Sequence, residues 1–303
     1  MVAITNVAVV GASGALGKPI LQELINSGKF NLTVVTREGS KSTFPSSVKV
    51  VPVDYTSVES VAAAFKGQDA VVSTVGTEGL AGQTVLVDAA VAAGVKRFLP
   101  SEFGSNLAIP KTAALPIFGY KVAVEKYLEA AVAKHPSLTY TYVINGGFLN
   151  WGLENGFLFA WQEGKPKIYD GGDQLFSATT LETVGKAVVG VLSHPEETKN
   201  RFVYVQDIAI SQNKLLELAK KIAPEKKWEP VPASTTEIAA ASNASLAKGE
   251  VTGPVLVGYL FSAIFGEGYG GHLQKLDNEL LGLQGKTEKD VEEILRKAIK
   301  GGK

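Results

Sequence analysis

Apolar runs and amphipathic helical patterns alternate along the first half of the chain. Short β-branched runs predict six strands, at Asn6–Val10, Asn31–Thr36, Val48–Val53, Ala70–Val75, Arg97–Pro100 and Thr139–Ile144. Between them, apolar residues at helical spacing predict helices at Gly17–Ser27, Ser57–Phe65, Gly82–Ala93 and Tyr120–His135. Strands that alternate with helices are typical of a parallel sheet with crossover helices. We therefore expect an α/β fold built on a doubly wound parallel sheet.

The pattern changes after Asn145, where glycines and aromatic residues come together. Residues 146–152, Gly-Gly-Phe-Leu-Asn-Trp-Gly, show little regular periodicity and predict a loop. Strand or helix patterns recur later, at Phe176–Thr180, Leu181–Leu192, Arg201–Val205, Ser211–Ile222 and Glu288–Lys300. The first three of these predict a return into the first unit. We expect residues 1–150, with a return at about 176–205, to form the larger domain, and most of residues 151–303 to form a smaller cap.

Composition and charge favour a folded protein with a small-molecule partner. Of the 303 residues, 45% are hydrophobic and 20% are charged, as in ordinary globular proteins. The 30 Lys and Arg residues balance the 30 Asp and Glu residues, so no net positive charge attracts nucleic acid or an anionic membrane. The absence of cysteine excludes disulfides, thiolate nucleophiles and cysteine-ligated metals. The first apolar run, Val7–Val10, predicts a strand and not a signal peptide, and no apolar stretch reaches the roughly 18 residues that a membrane span needs, so we expect a cytoplasmic protein.

A glycine-rich segment links the first predicted strand to the first predicted helix. Its residues are Gly11-Ala12-Ser13-Gly14-Ala15-Leu16-Gly17. In a dinucleotide-binding turn, the first glycine permits a sharp bend, the second lets backbone N–H groups approach the pyrophosphate, and the third lets the helix pack close to the strand. The strand–turn–helix context favours this function over a purely structural turn. The predicted fold is therefore Rossmann-like.

The end of the second predicted strand indicates which dinucleotide is preferred. About 20 residues beyond the last motif glycine, where an acidic side chain would bind the ribose of NAD, the chain has Arg37. A guanidinium can bind the 2′-phosphate of NADP through two hydrogen bonds, and Lys41 is close enough in sequence to assist. We therefore expect NADPH as the cofactor. Two alternatives stay open: Glu38 could bind the ribose, and Arg37 could be an ordinary exposed arginine.

Two further segments follow predicted strands. Thr74-Val75-Gly76 ends the fourth strand, where it would lie beside the cofactor. Asp54 follows the third strand, where a side chain could reach the adenine. Both assignments are arguments from position, and a turn or helix-capping function explains Asp54 nearly as well.

The candidate catalytic group is Lys121, near the start of the helix predicted at Tyr120–His135. An ammonium beside the nicotinamide could polarise a carbonyl or donate a proton as hydride arrives, particularly if burial lowers its pKa. The alternative is a solvated lysine paired with Glu125 one helical turn later. Common short-chain dehydrogenases place a catalytic tyrosine four residues before the lysine, but here that position is Ile117. No Tyr-x-x-x-Lys occurs in the chain, so a tyrosine acid is not supported.

The remaining chemistry-bearing residues give weaker signals. His135 and His194 precede prolines at apparent helix ends, and no two histidines have metal-site spacing, so we expect no metal. Phe148 and Trp151, with the aromatic residues that follow them, could line a planar apolar pocket for substrate. The default location of such residues is the core.

Three segments together resemble the isoflavone reductase-like group, which belongs to the NmrA-like branch of the atypical short-chain dehydrogenases. They are the glycine-rich segment, Lys96-Arg97-Phe98-Leu99-Pro100-Ser101-Glu102-Phe103-Gly104, and Lys121-x-x-x-Glu125. The resemblance covers residues 4 to 205, and Phe-Leu-Pro-Ser-Glu-Phe-Gly is its most specific part. Residues 147–153 are similar to fungal members of the group.

The resemblance implies an NADPH-dependent reductase with a Rossmann domain, a smaller C-terminal substrate domain and a catalytic lysine, which corresponds to Lys121. It also implies that Arg37 and Lys41 face the 2′-phosphate, and it places Glu102 and Phe103 at the cofactor site. The expected substrate is a conjugated or aromatic small molecule. The same family includes regulators that bind a dinucleotide without turning it over, so dinucleotide sensing is the alternative function. The presence of Lys121 favours the enzyme.

Overall fold

The computed structural model describes residues 3–301, and its largest element is a seven-stranded sheet. The strands, in chain order, are β1 (Asn6–Val10), β2 (Asn31–Arg37), β3 (Lys49–Val53), β4 (Ala70–Ser73), β5 (Arg97–Leu99), β6 (Thr139–Ile144), β7 (Gly147–Phe148), β8 (Lys167–Tyr169), β9 (Phe176–Thr179), β10 (Arg201–Tyr204), β11 (Ile208–Ile210) and β12 (Val231–Ala233). The main sheet has the order β10-β6-β5-β4-β1-β2-β3, and each neighbouring pair is parallel. The predicted α/β fold with a doubly wound parallel sheet is confirmed.

The strand order reverses between β1 and β4. From β1 the chain proceeds outward to β2 and β3, then returns to β4 on the other side and continues through β5 and β6. Val9 in β1 lies between Val34 and Val72 of the two neighbouring strands. In open α/β sheets, ligands bind beyond the carboxyl ends of the strands at such a reversal. The loops that follow β1 and β4 are therefore where a ligand site is expected.

The helices cover both faces of the main sheet. In chain order they are α1 (Gly17–Ser27), α2 (Val58–Phe65), α3 (Gln83–Ala93), α4 (Pro110–Ala113), α5 (Gly119–Lys134), α6 (Leu149–Glu154), α7 (Leu181–Ser193), α8 (Gln212–Ile222), α9 (Thr235–Ala247), α10 (Gly253–Phe265) and α11 (Glu288–Lys300). Buried residues of α1 and α7 pack on one face of the sheet, and those of α2, α3 and α5 pack on the other. Within the described chain, no helix has both the length and the apolar character needed to cross a membrane.

The residues after β6 build a further apolar core. β7, β9 and β11 form a three-stranded sheet, and β8 pairs with β12. Around these strands, α6, α8, α10 and α11 contribute buried side chains that include Leu149, Leu215, Phe265 and Leu295. This core is distinct from the apolar clusters on the two faces of the main sheet.

Local capping determines where several of these later helices begin. Thr180, Ser211, Ser234 and Thr287 each accept a hydrogen bond from the backbone amide three residues later. Such caps satisfy amides that have no partner within the helix. The serine cap predicted at Ser211 is confirmed.

The segment 146–152 is not the predicted loop. It contains β7 and the first part of α6, so that prediction was wrong. Leu149 and Leu153 lie one helical turn apart and are both buried, which gives the short helix an apolar face. A Cβ on Gly152 would lie 2.6 Å from Cγ of Leu158. This glycine therefore permits a close packing contact and does not mark a turn.

The segment 176–205 is divided between the two larger sheets. β9 pairs with β7 and β11 in the three-stranded sheet. Helix α7 packs against α1, and β10 pairs with β6 at the edge of the main sheet. The chain thus crosses between the two parts of the structure within this segment.

Candidate functional site

The glycine-rich segment Gly11–Gly17 lies where β1 ends, at the reversal of strand order. Gly11 has a φ of +80°, which residues with a side chain rarely adopt. A Cβ on Gly17 would clash with the Gly11 carbonyl oxygen and lie 2.8 Å from Cα of Ala12. Gly14 differs, since a Cβ there would meet only the Gly11 oxygen, at 3.3 Å. Gly11 and Gly17 therefore permit the close approach of α1 to β1, whereas Gly14 is exposed.

Several backbone amides of this segment have no acceptor within the protein. Among residues 3–301, the N–H groups of Ser13, Ala15 and Leu16 make no hydrogen bond, whereas the Gly14 amide donates to Gly11 at 3.0 Å. Helix α1 also begins without a side-chain cap. Free amides at a helix N-terminus carry partial positive charge and bind anions readily. The segment can therefore hold a pyrophosphate.

The turn after β2 brings Arg37 and Lys41 to one open cleft. The Ser40 amide donates to the Arg37 carbonyl at 3.2 Å and closes this turn. The cleft has a volume of about 520 Å³ and is lined by Arg37, Gly39, Ser40, Lys41 and Ser42. Lys41 also lines a neighbouring cleft together with Ala12 and Ser13 of the glycine-rich segment. Both cations are exposed, so this surface can bind a phosphate next to the first strand–helix turn.

The segment Thr74–Gly76 lies at the same sheet edge. The Thr74 amide and hydroxyl both donate to the Val10 carbonyl, each at 2.8 Å. The Val75 carbonyl accepts a hydrogen bond from the Ser101 hydroxyl at 2.8 Å. These bonds join the ends of β1 and β4 to the segment that follows β5.

Asp54 has the turn function that the sequence left open. Its carboxylate accepts hydrogen bonds from the amide and hydroxyl of Thr56, at 2.8 Å and 2.7 Å. These bonds lower the pKa of Asp54. The side chain is exposed and engaged in its own loop.

Lys121 lies in the first turn of α5, and its ammonium reaches the segment after β5. Nζ donates to the carbonyls of Glu102 and Phe103, at 2.6 Å and 3.3 Å. Burial lowers the pKa of Lys121. The solvated Lys121–Glu125 pair considered from the sequence is not what the structure shows, because the ammonium binds backbone carbonyls and Glu125 is only 9% exposed.

Two buried carboxyl groups accompany Lys121. Glu102 is fully buried, and neither of its carboxyl oxygens has a hydrogen-bond partner among residues 3–301. Oε1 of Glu125 is also buried without a partner in the described chain. Burial raises the pKa of Glu102 to about 8 and that of Glu125 to about 7, although the positive charge of Lys121 opposes both shifts. The charges of these three groups act on one another, so they titrate as one cluster.

The two residues predicted for a substrate pocket lie in different surroundings. Phe148 is half-buried against the apolar core of the main sheet. Trp151 is 37% exposed, and its ring lies 5.8 Å from that of Phe157. The Phe157 ring is in turn 5.1 Å from that of Phe261. Trp151 therefore begins a row of aromatic rings, whereas Phe148 packs against the core of the main sheet.

The buried carboxyl group of Glu102 is the feature that sequence reasoning missed. The sequence placed Glu102 at the cofactor site only through a family resemblance. The sequence did contain a sign that Glu102 is buried, because this acid follows the buried strand β5 by only a few residues and directly precedes the apolar Phe103. The adjacent Ser101 amide donates to Gln83 Oε1 at 2.8 Å, a contact between distant residues that no local pattern indicates.

A doubly wound parallel sheet with a glycine-rich turn at its reversal defines a Rossmann-like α/β protein. Within that class, residues 4–238 match the NmrA-like family, and the chain belongs to this family. The resemblance inferred from the sequence motifs is thereby confirmed.

Relatives and solved structures agree with this assignment. The oxidoreductase aprR of Aspergillus flavus is 36% identical over 304 residues, which cover 97% of this chain and 99% of the relative. The isoflavone reductase homologue IRL of Zea mays is 30% identical and covers 82% of this chain and 88% of its own length. A leucoanthocyanidin reductase–NADPH complex from Vitis vinifera has a TM-score of 0.76 at 20% identity, over 96% of this chain and 99% of that chain. At 20% identity, the similarity to the grapevine structure shows a shared fold.

Gly17→Ala is expected to destabilise the protein by about 1–3 kcal/mol, because the added methyl group meets backbone atoms of Gly11 and Ala12. The free energy of unfolding from denaturant titration measures the effect. Gly253→Ala is the matched control, because a Cβ there has no atom within 4 Å, and it should change stability by less than about 0.5 kcal/mol. Wild-type stability of Gly17→Ala would contradict the close approach of α1 to β1.

The raised pKa of Glu102 predicts a loss of stability as the pH rises. The unfolded chain releases this proton near pH 4.5, whereas the folded protein holds it to about pH 8. Between these values the folded state binds more protons, so the free energy of unfolding falls with rising pH. In denaturant titrations, the free energy of unfolding of Glu102→Gln should decrease less with rising pH than that of the wild type. Glu59→Gln, which changes an exposed residue, should show the same decrease as the wild type. The same slope in all three proteins would show that Glu102 is ionised in the folded state.

Proposed function

We propose that this chain is an NADPH-dependent oxidoreductase that reduces a conjugated or aromatic small molecule. The observation that carries the proposal is the Lys121 ammonium, held by two carbonyls at the sheet edge that also bears a glycine-rich segment with free amides. The Aspergillus relative is named an oxidoreductase, the maize relative an isoflavone reductase homologue, and the grapevine structure a reductase complex with NADPH. These names support the reaction class and the cofactor.

The residues of this chain fit NADPH at both of its phosphate positions. The free amides of Ser13, Ala15 and Leu16 would hold the pyrophosphate at the start of α1. Arg37 and Lys41, which share one cleft, would bind the 2′-phosphate. An Arg37 guanidinium with two hydrogen bonds to this phosphate would favour NADPH over NADH.

The chain itself supplies the proton. Bound NADPH provides a hydride, and a two-electron reduction needs one proton in addition. Lys121 is placed to donate that proton, because its carbonyl contacts fix Nζ and burial lowers its pKa. A regulator that only binds a dinucleotide needs no such donor. The arrangement therefore supports an enzyme over a sensor.

The row of aromatic rings supports a planar substrate. Trp151, Phe157 and Phe261 follow one another, and Tyr169 stacks on Phe261 with ring centroids 5.1 Å apart. An aromatic substrate would stack on the exposed end of this row at Trp151. We accordingly assign cofactor binding to residues 1–150 and substrate binding mostly to residues 151–303. A cytoplasmic location stays a prediction.

Arg37→Ala is expected to weaken NADPH binding about tenfold or more and to leave NADH binding almost unchanged. Hydrogen bonds to a charged phosphate are worth roughly 1.5–3 kcal/mol each. Fluorescence titration with both cofactors measures the preference. Glu38→Gln is the control, because it keeps the neighbouring cation and should retain the preference for NADPH. Equal affinities of the wild type for NADPH and NADH would show that Arg37 and Lys41 do not bind the 2′-phosphate.

Lys121→Ala is expected to keep its affinity for NADPH and to lose about 10²–10⁴-fold in the rate of NADPH oxidation. The measurement is single-turnover oxidation at saturating cofactor, with enones and phenolic ethers screened as substrates. Lys126→Ala, an exposed neighbour on the same helix, should react at the wild-type rate. Equal rates in Lys121→Ala and wild type would exclude this lysine from the chemistry. If none of the substrates leads the wild type to oxidise NADPH, and the reduced and oxidised cofactors change its binding to a partner differently, the protein is a sensor.

A further inference from the structure

Acidic and phenolic side chains that the proposed reaction does not use accompany Lys121, some on α5 itself and others on or after the strands beneath it. Lys121, Glu125 and Glu129 are spaced four residues apart, so they follow one face of the helix. Glu102 lies after β5 and Tyr142 on β6, and both are fully buried. Glu129, by contrast, is exposed. The set therefore leads from the Lys121 ammonium to solvent.

Hydrogen bonds connect the outer part of this set. The Tyr142 hydroxyl lies 3.4 Å from a carboxyl oxygen of Glu129 and 3.3 Å from the Glu125 carbonyl. Tyr140, whose ring is stacked 4.5 Å from that of Tyr142, donates to the same Glu129 oxygen at 3.5 Å. The Tyr142 hydroxyl thus lies between the exposed Glu129 carboxyl group and the backbone carbonyl of Glu125.

The inner part of the set holds acidic groups without hydrogen-bond donors. Neither carboxyl oxygen of Glu102 has a partner among residues 3–301, and Oε1 of Glu125 has none there either. An ionised carboxylate buried without donors is costly, so such an environment favours the protonated form. Two carboxyl groups and one ammonium are electrically neutral together when one carboxyl group keeps its proton. The interior therefore stores a proton beside Lys121.

We propose that Glu102 and Glu125 form a proton reservoir that reprotonates Lys121 after each reduction. The inference rests on the proposed reductase function. Glu102 and Glu125 act through Lys121, so they are positioning residues, and Lys121 is the catalytic residue.

The proton balance of this cycle is closed. In each turnover the substrate receives a hydride from NADPH and a proton from Lys121, whose N–H bond breaks. A carboxylic acid of the reservoir then breaks its O–H bond and restores the N–H bond of Lys121. Solvent supplies one proton, which protonates the carboxylate that is left behind. The cycle consumes one NADPH and one solvent proton, with no other reductant.

The other titratable groups that face the reservoir do not compete for its proton. Tyr140 and Tyr142 approach from β6, and Tyr204 approaches from β10. Burial raises the pKa of all three phenols, so they stay protonated near neutral pH. Proton exchange is therefore confined to the carboxyl groups and Lys121.

The first test measures the stored proton and needs no substrate. Carbon-13 NMR follows the glutamate carboxyl carbons of the full chain against pH in wild type, Glu102→Gln, Glu125→Gln and the exposed control Glu59→Gln. We expect two carboxyl signals of the wild type to titrate above about pH 6, outside the usual glutamate range. Glu102→Gln and Glu125→Gln should each lack one of these two signals, and Glu59→Gln should show both. Two carboxyl groups that are both ionised at about pH 6 would overturn the inference whatever the activity.

The second test separates proton supply from a structural function. Glu102→Gln resembles the protonated acid but cannot release a proton, so the first turnover should occur at the wild-type rate. Later turnovers need reprotonation, so kcat should fall about tenfold, with the Kd for NADPH unchanged. Glu125→Gln is the second variant should Glu102→Gln fail to fold.

Equal slowing of the first and later turnovers, or a wild-type kcat in both variants, would overturn the inference. If the wild type oxidises NADPH with none of the substrates, the proposed function itself is overturned. The NMR titration distinguishes these two failures, since it reports the reservoir without turnover.

Discussion

The site depends on one interaction, the hydrogen bonds from the Lys121 ammonium to the carbonyls of Glu102 and Phe103. They fix the first turn of α5 against the segment after β5, which is tied to β4 through Ser101 and Val75. A cation is thereby held at the segment after β5, the strand that neighbours β4 in the main sheet. The same contact explains why two acids lie in the interior, since a nearby ammonium offsets part of the cost of burying carboxyl groups.

Much of the main sheet could be predicted from the sequence, because its central strands β1, β4 and β5 are buried on both faces and form nearly continuous apolar runs. β1, β6 and α1 have the predicted bounds. The glycine-rich segment was also predictable, since a positive φ at Gly11 and the close approach at Gly17 both require glycine. Arg37 and Lys41 could be placed in one region because a short turn joins them.

The surroundings of the candidate catalytic lysine could not be predicted, because they depend on contacts between distant residues. Lys121 lies 19 positions from the carbonyl that it binds most closely, and only the fold brings the two together. Helix α6 escaped prediction because it is short and contains a glycine. Its glycine packs against Leu158, which lies outside the helix, so the local pattern resembles a loop. The row of rings from Trp151 to Phe261 likewise joins two helices far apart in sequence.

A crystal structure of the chain with NADP⁺ would show whether the loops around the strand-order reversal form a cofactor site next to Lys121. We expect the pyrophosphate on the amides of residues 13–16 and the 2′-phosphate between Arg37 and Lys41. We also expect the nicotinamide ring beside Nζ of Lys121, with that ammonium still bound to the Glu102 carbonyl. A dinucleotide bound away from the glycine-rich segment, or a nicotinamide separated from Lys121 by protein atoms, would contradict this expectation.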